Sequence, residues 1–369
     1  VSGKTTVVKQ LLRIHNEQEE KKQFDVVQCL EEIHKMVWCD IYDLCVWNKK
    51  DREKRKGYER MDEDCRQLVD AMVKDNILLY KQPVIRKQMA ETIKKIWASE
   101  GIQSTFEYRR KQHVMDNTPF FLNKIDKLYV SGEERDQQNI DEKKFVDDNM
   151  YDDGDNGDDV DHIELSQMQY IPTWEDYLRI RDQTSGVLTY NIKPKIQNKI
   201  WNFRITDVGG QRSERKKWVK VFGGVNVVFY VMSLSGYDQV IYENNDVKCY
   251  DESFNVFHEV SCNPVFQATD FVLFLNKLDL FDDKLQTVPF TVYDTTFDED
   301  SKHDKAKIIR YVQQKFESIW HNDCPQDWPE KRVLYFHSTC CLDTKAMQSI
   351  VAGVNISVIK RTLRDASVF

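Results

Sequence analysis

The sequence predicts an α/β fold interrupted by a long helical block, and three observations carry that reading. Phe271-Val-Leu-Phe-Leu is continuously apolar and ends in Asn276-Lys277-Leu278-Asp279, the pattern of a parallel strand buried on both faces. Trp201-Asn-Phe-Arg-Ile-Thr206 alternates instead, then runs into Asp207-Val-Gly-Gly-Gln-Arg, a strand that ends on a carboxylate and a hinge without side chains. Between residues 24 and 130 the apolar residues recur at helical spacing.

Taken in order, the chain opens Val1-Ser2-Gly3-Lys4-Thr5-Thr6-Val7-Val8. This is the second half of a P-loop, followed by a helical pattern that ends near His15. Backbone N–H groups of such a loop cradle phosphates, Lys4 reaches the β- and γ-phosphates, and the Thr5 hydroxyl ligates Mg²⁺. The motif's first glycine and the strand that feeds it would lie before Val1, and there is no initiator Met. The expectation is therefore a chain cut at its N-terminus, which binds nucleotide weakly and folds poorly because a parallel sheet cannot readily lose a strand.

Val27, Leu30, Ile33, Met36, Val37 and Ile41 line one face of a helix over 24–47, and residues 63–80, 88–98 and 102–130 continue in that style. These stripes read as core. His34 and His113 have no Cys or carboxylate partner at ligand spacing, so neither reads as a metal ligand. The basic cluster Lys49–Lys56 is interrupted by Asp51 and Glu53 and reads as a solvated face. Residues 131–165 hold 14 Asp/Glu and 3 Arg/Lys, a local charge of −11 against −8 for the whole chain, which leaves +3 for the rest. The segment predicts disorder. Asp153, Asp155, Asp161 and Glu164 fall at EF-hand positions, but Asp158 occupies the glycine position and no amphipathic helix leads in, so a solvated acidic loop is the better reading.

After Asp207, two glycines let backbone N–H groups approach a γ-phosphate, and Gln211 stands where an amide can orient an attacking water. At the end of the 271–275 run, Asp279 can accept both the N1–H and the 2-amino group of guanine, which adenine cannot supply. The Lys277 stem can cover the base. A further strand, Val333-Leu-Tyr-Phe-His-Ser-Thr339, delivers Cys340-Cys341-Leu342-Asp343 as a second base-contacting loop.

Composition narrows the class. The near-neutral body has no broad basic face for nucleic acid. Nine cysteines, odd in number and without a C-x-x-C, favour a reducing compartment over a disulfide or zinc framework. No stretch approaches the apolar length of a membrane span.

Together these motifs resemble those of the Ras-like GTPases, and the long version at 207–218 resembles heterotrimeric G protein α subunits. The resemblance extends through Leu178-Arg-Ile-Arg181-Asp-Gln-Thr184-Ser-Gly-Val187, Ala90–Trp97, Tyr170–Thr173 and the final helix to Phe369. It covers nearly all the chain outside residues 131–165. It implies a Ras-like P-loop GTPase domain, residues 1–15 and 172–369, with an inserted all-α helical domain, residues 24–171, carrying the acidic insert. It also implies Arg181 as a built-in arginine finger and Gln211 as the water-orienting residue. Ser2, Gly3, Lys4, Thr5, Thr6, Leu178, Arg179, Gly210, Asn276, Lys277, Asp279 and Cys341 would bind GTP or GDP. Thr5 and Thr184 would hold Mg²⁺, and Asp207 would do so through water. The partners implied are a βγ dimer, a seven-helix membrane receptor at the C-terminal helix, an RGS-type regulator and an effector, at the cytoplasmic face of the plasma membrane. The function implied is a signalling switch with slow intrinsic GTP hydrolysis.

The sequence departs from the family pattern in four places. Asp182 and Gln183 occupy a stretch that is usually apolar or basic, so a carboxylate could oppose Arg181. Cys341 replaces a small alanine beside the base, where a backbone N–H contact would survive. Glu243–Cys249 is less acidic than usual, which weakens the pairing expected with Glu214 and Arg215. Ala366 stands where some members carry a toxin-modified Cys, so that modification is not expected. Two other classes are weighed against this one. Arg181, Gln211 and Thr184 argue against a non-hydrolysing nucleotide-gated scaffold, and Asp279 argues against an ATP-using P-loop enzyme.

Overall fold

The chain separates into two compact units, one formed by Val1–Gln23 with Arg181–Phe369 and the other by Phe24–Ile180. The computed structural model describes residues 2–16, 24–50, 61–74, 84–107, 114, 116–131, 167–181, 184–196, 198–325, 328 and 332–365. The acidic segment beyond Ser131, the EF-hand positions, His113, Asp182, Gln183 and Ala366 lie outside the described residues.

Helix α1 (Lys4–Asn16) opens the first unit. Among the described residues the second unit is built from α2 (Val26–Lys50), α3 (Glu63–Lys74), α4 (Lys87–Ala98), α5 (Glu100–Glu107), α6 (Thr118–Leu122) and α7 (Trp174–Arg179). Its core follows the helical period: Leu30, Ile33, Val37, Ile41 and Leu44 on α2, with Ile93 and Ile96 on α4, are all fully or almost fully buried. His34 sits in that core. Its Nδ1 accepts the Ile85 N–H at 3.2 Å, and its Nε2 faces the Leu128 carbonyl. Both ring nitrogens are therefore structural, as expected of a non-ligand. The helical style expected across 102–130 holds only in pieces. Helix α5 stops at Glu107, and Pro119 in the first turn of α6 cannot continue a helix from upstream.

Helix α7 is capped reciprocally. Thr173 Oγ1 accepts the Asp176 N–H at 3.3 Å, and Asp176 Oδ2 accepts the Thr173 N–H at 2.7 Å. Asp176 also pairs with Lys124 at 3.1 Å, and Tyr177 stacks on Phe24 with ring centroids 4.8 Å apart. These contacts hold residues 173–180 to the helices. The division accordingly falls at Arg181, later than the 171/172 boundary expected.

The remainder of the first unit contains β1 (Val187–Ile192), β2 (Lys195–Ile196), β3 (Lys199–Ile200), β4 (Phe203–Val208), α8 (Arg212–Arg215), β5 (Val227–Ser233), β6 (Val240–Ile241), β7 (Asn244–Lys248), α9 (Cys249–Ser261), β8 (Asp270–Asn276), α10 (Leu278–Leu285), α11 (Lys305–Ser318), β9 (Leu334–Ser338) and α12 (Thr344–Asp365). Strands β5, β8 and β9 form a parallel sheet with β8 central, registered Ser233↔Asn276 and Leu275↔Ser338. All of β8 is buried. Its period of two splits the core: Phe271, Leu273 and Leu275 pack with Phe257 and Phe316, while Val272 and Phe274 pack with Val7, Leu11, Met347 and Val351. Strands β1 and β4 pair antiparallel, Val187↔Val208 through Ile192↔Phe203. This mixture of helices and parallel sheet is the α/β class read from the sequence.

Two expectations change here. The charged segment after Gln211 is not one helix: α8 has 4 residues and a 3₁₀ turn, Trp218–Val221, follows. Cys262 and Cys324 are paired as a disulfide, although the cysteine pattern favoured none. The two are far apart in sequence, and only the packing of α9 against the end of α11 brings them together.

Candidate functional site

The carboxyl ends of β5, β8 and β9 lie at one edge of the sheet, the position at which α/β folds bind ligands. The loops there are tied by Asn276. Its Nδ2 donates to the Ser2 carbonyl at 2.8 Å, and its Oδ1 accepts the Cys341 N–H at 3.0 Å. One amide thus joins the half P-loop, the strand end and the loop after β9. Gln10 Nε2 adds a bond to the Cys341 carbonyl at 2.8 Å. Gly3 adopts φ +93°, and a Cβ there would stand 2.4 Å from Asn276 Nδ2, so only glycine allows this junction. The Cys341 N–H, expected to face the base, is instead committed to Asn276. Asn276 itself acts on the loops, because both ends of its amide are used internally.

Lys277 turns the chain from β8 into α10 in the left-handed region, φ 62° and ψ 43°. A side chain held there costs about 1 kcal/mol or more. The turn is braced by the Phe281 N–H on the Lys277 carbonyl at 2.9 Å and the Leu278 N–H on the Thr339 carbonyl at 3.1 Å. It sets Asp279, partly exposed, in the first turn of α10.

A second cluster forms where α1 begins. Thr5 Oγ1 and Thr184 Oγ1 stand 3.1 Å apart, and they donate to Asp207 Oδ2 at 3.3 and 3.1 Å respectively. Three hard oxygens from three segments of the chain converge on one point. That donor set fits Mg²⁺, which takes few protein ligands and keeps oxygens around it. Lys4 begins the same helix; burial pushes its ammonium pKa down, Asp207 opposes that shift, and Arg215 adds to it. A Cβ on Gly210 would lie 2.4 Å from Lys4 Nζ, so the glycine hinge is packed directly against the lysine of the half P-loop. Gln211 is exposed at the start of α8, with no capping bond from its side chain.

The segment after Gln211 is clamped by residues the motifs did not reveal. Glu252 on α9 accepts from Arg212 Nε at 2.9 Å, Arg212 Nη2 at 2.5 Å and Arg215 Nη2 at 2.6 Å. Those guanidinium bonds hold the Glu252 carboxyl down at about 2. Glu214 accepts the Gly186 N–H at 2.6 Å and pairs with Lys217 at 2.8 Å, while Trp218 Nε1 donates to the Gly209 carbonyl at 2.8 Å. From the 243–249 segment, Glu243 Oε1 accepts the Arg212 N–H at 3.2 Å. The pairing anticipated for Glu214 and Arg215 with that segment therefore goes elsewhere. Beside the clamp, Arg212, Arg215, Glu252, Asn255, His258 and Glu259 line an open charged groove.

The other expected residues are accounted for separately. Thr6 lies in the first turn of α1, and Arg181 is partly buried at the start of its unit's second segment. Leu178 and Arg179 belong to the helical unit. Leu178 is 3% exposed; Arg179 pairs with Glu175 at 2.9 Å, and its guanidinium lies 4.1 Å from the Phe120 ring centre. Among the described residues no helix is long and apolar enough to cross a membrane. Among the described residues no group of three or more His, Cys, Asp and Glu could hold a metal by itself.

A family model for the G-protein alpha subunit matches residues 1–358. That match carries guanine-nucleotide binding and signal transduction with it.

Proposed function

The chain belongs to the G-protein α subunit family, and on that premise we propose that it is a guanine-nucleotide-gated switch that hydrolyses GTP slowly. In this reading the unit of Val1–Gln23 with Arg181–Phe369 acts as the Ras-like GTPase domain and Phe24–Ile180 as an inserted helical domain. The observation that carries it is the convergence of the Thr5, Thr184 and Asp207 oxygens beside Lys4 and Gly210.

Phosphoryl transfer to water leaves the protein positioning and charge stabilisation to supply. Thr5 and Thr184 would hold Mg²⁺ and Asp207 would reach it through water; when bound, the ion supplies positive charge to the phosphate oxygens. The Lys4 ammonium would meet the β- and γ-phosphates, whose charge opposes the lowering that burial imposes on its pKa. Gly210 offers its N–H to the γ-phosphate without a side chain in the way. Gln211, exposed and uncommitted at its cap position, orients the water. Arg181 neutralises charge developing on the transferring oxygens. Asp279 accepts the two guanine donors, with the Lys277 stem over the base.

When the γ-phosphate draws Gly210 inward, the clamped segment 211–221 moves with it. This segment and the charged groove beside it are the surface we assign to a βγ dimer in the GDP state and to an effector in the GTP state. The C-terminal helix takes the receptor, and the protein works at the cytoplasmic face of the plasma membrane. Capture of βγ should accordingly be stronger with GDP than with a non-hydrolysable GTP analogue; equal capture in a pull-down contradicts the switch.

Single-turnover hydrolysis tests the enzyme. Arg181→Cys and Gln211→Leu are expected to slow it by on the order of 10²-fold or more, with nucleotide affinity changed far less. Unchanged rates in both variants would leave a nucleotide-gated scaffold and end the GTPase reading.

A further inference from the structure

The cysteine pair at the end of α9 has no part in nucleotide chemistry. Cys262 follows α9 directly, its N–H bonded to the His258 carbonyl at 3.0 Å. Cys324 closes the wide turn Ile319–Asp323 that extends α11, its N–H on the Ile319 carbonyl at 3.2 Å. Backbone at two helix ends thus holds the Cα atoms 4.6 Å apart, within the range a disulfide spans. The two sulfurs differ in access: Cys262 is partly exposed, whereas Cys324 is 2% exposed. Ser261, fully buried, places its hydroxyl 3.8 Å from Cys262 Sγ and 3.5 Å from Cys324 Sγ.

A cation is anchored beside them. Arg332 Nη1 donates to the Ser261 carbonyl at 2.8 Å, and its guanidinium lies 4.1 Å from the Trp320 ring centre and 4.0 Å from that of Trp328. The cation is thus held at the carbonyl of the residue before Cys262, and positive charge in a cysteine's surroundings favours the thiolate, the form that reacts. The remaining seven cysteines form no disulfide. In a chain of that character a lone disulfide is typically transient and regulatory rather than part of a framework.

We propose that Cys262 and Cys324 are a reversible redox site, with Cys262 the sulfur that exchanges with solvent and Cys324 the one that resolves it. The oxidant class is a low-molecular-weight disulfide, R–S–S–R. The Cys262 thiolate attacks one of its sulfurs, breaking the R–S–S–R bond and releasing R–S⁻. The Cys324 thiolate then attacks Cys262 Sγ in the mixed disulfide, forms the internal bond and releases the second R–S⁻. Two electrons pass from the protein thiols to the oxidant. The two protons lost by the cysteines leave with the products as two R–SH.

The bridge spans a sequence separation of 62, and the enclosed chain includes β8, the Asn276–Asp279 turn, α10 and α11. Closing that loop removes freedom from the unfolded chain. Oxidation therefore stabilises the unit that carries the base-recognition turn, and reduction loosens it.

The test uses the full chain in glutathione buffers from reducing to oxidising, with alkylation and mass spectrometry to count thiols and a parallel thermal melt. On oxidation two of the nine cysteines should become unreactive and be recovered as a linked Cys262–Cys324 peptide. The melting temperature should rise by on the order of 10 °C, and Cys262→Ser and Cys324→Ser should each abolish that redox dependence. Cys324→Ser should accumulate a glutathione adduct on Cys262, whereas Cys262→Ser should form on the order of tenfold less at the buried Cys324. Nine free thiols across the whole range, or a redox-dependent rise that survives in both variants, would overturn the site. Equal adducts in the two variants would overturn the roles assigned to the two sulfurs. None of these readouts requires bound nucleotide, so the redox site and the guanine reading fail or stand separately.

Discussion

Asn276 shows how a residue singled out by a motif can be engaged by the protein's own backbone. The spacing of Asn276, Lys277 and Asp279 points to the turn proposed to recognise the base, yet the Asn276 amide spends its hydrogen bonds on Ser2 and Cys341. What remains for the base is the partly exposed carboxylate of Asp279. Adenine would leave that acid buried without a donor, so GTP and GDP should compete far better than ATP. Asp279→Asn replaces an acceptor by an amide that donates to a 2-oxo group, and preference should move toward xanthine nucleotides. Competition binding checks both, and equal competition by ATP and GTP would remove the guanine assignment. Residue-scale legibility thus followed chemistry: Lys4, Thr5, Asp207 and Gly210, which the structure brings together, could be picked out because the proposed phosphate and metal chemistry demands such groups at those spacings. Glu252 could not, since it lies on a different helix from its arginines and no local pattern announces a partner 40 positions from Arg212 and 37 from Arg215.

At the scale of elements the sheet was legible and the segment after Gln211 was not. The continuous apolar run of β8 and the alternation of β4 are what burial on two faces and on one face require, and both are strands. Residues 212–221 carry enough charge to suggest a helix, but Gly209 and Gly210 precede them, the Arg212 and Glu214 side chains are drawn outward to Glu252 and the Gly186 N–H, and the Arg212 N–H is held by Glu243. A short helix and a 3₁₀ turn result. Glu252 is therefore expected to hold this element in place: Glu252→Gln removes the charge while keeping the shape. Amide exchange across 211–221 should speed by about tenfold, the scale of a lost charge-assisted pair, and leave β8 unchanged. The sign of its pH dependence follows from a carboxyl held near 2. The clamp contributes fully above the ordinary glutamate range of about 4.5, and that contribution is lost as pH falls from there through about 2. Exchange across 211–221 that is the same in both proteins at neutral pH would show that the clamp does not order the segment.

At the scale of the whole molecule, the described residues contain one core cluster in Phe24–Ile180 and two others in the unit that holds the sheet. Helical periodicity foretold the first and strand patterns the others. The division at Arg181 escaped the sequence because it depends on Asp176, Tyr177 and Phe24 contacts that no period encodes. Separate cores predict separate unfolding transitions, and His34 tells which responds to acid. Its Nδ1 accepts the Ile85 N–H and its Nε2 faces the Leu128 carbonyl, so the folded unit requires the neutral ring, and burial pushes the His34 pKa down to about 4. A free histidine titrates at 6.5. The unfolded chain therefore takes up the proton first. The stabilisation is whole above pH 6.5 and is lost as pH falls from there to about 4, a total loss of roughly 3 kcal/mol. Calorimetry over that range should show the transition of the helical unit moving down while His34 contributes nothing to the shift of the other. In His34→Gln, which keeps an amide but cannot titrate, the helical transition should begin lower at neutral pH and lose this part of its pH dependence. An identical acid response in the two proteins would mean that the ring is already charged in the folded unit, and that the Ile85 amide is not what holds it neutral.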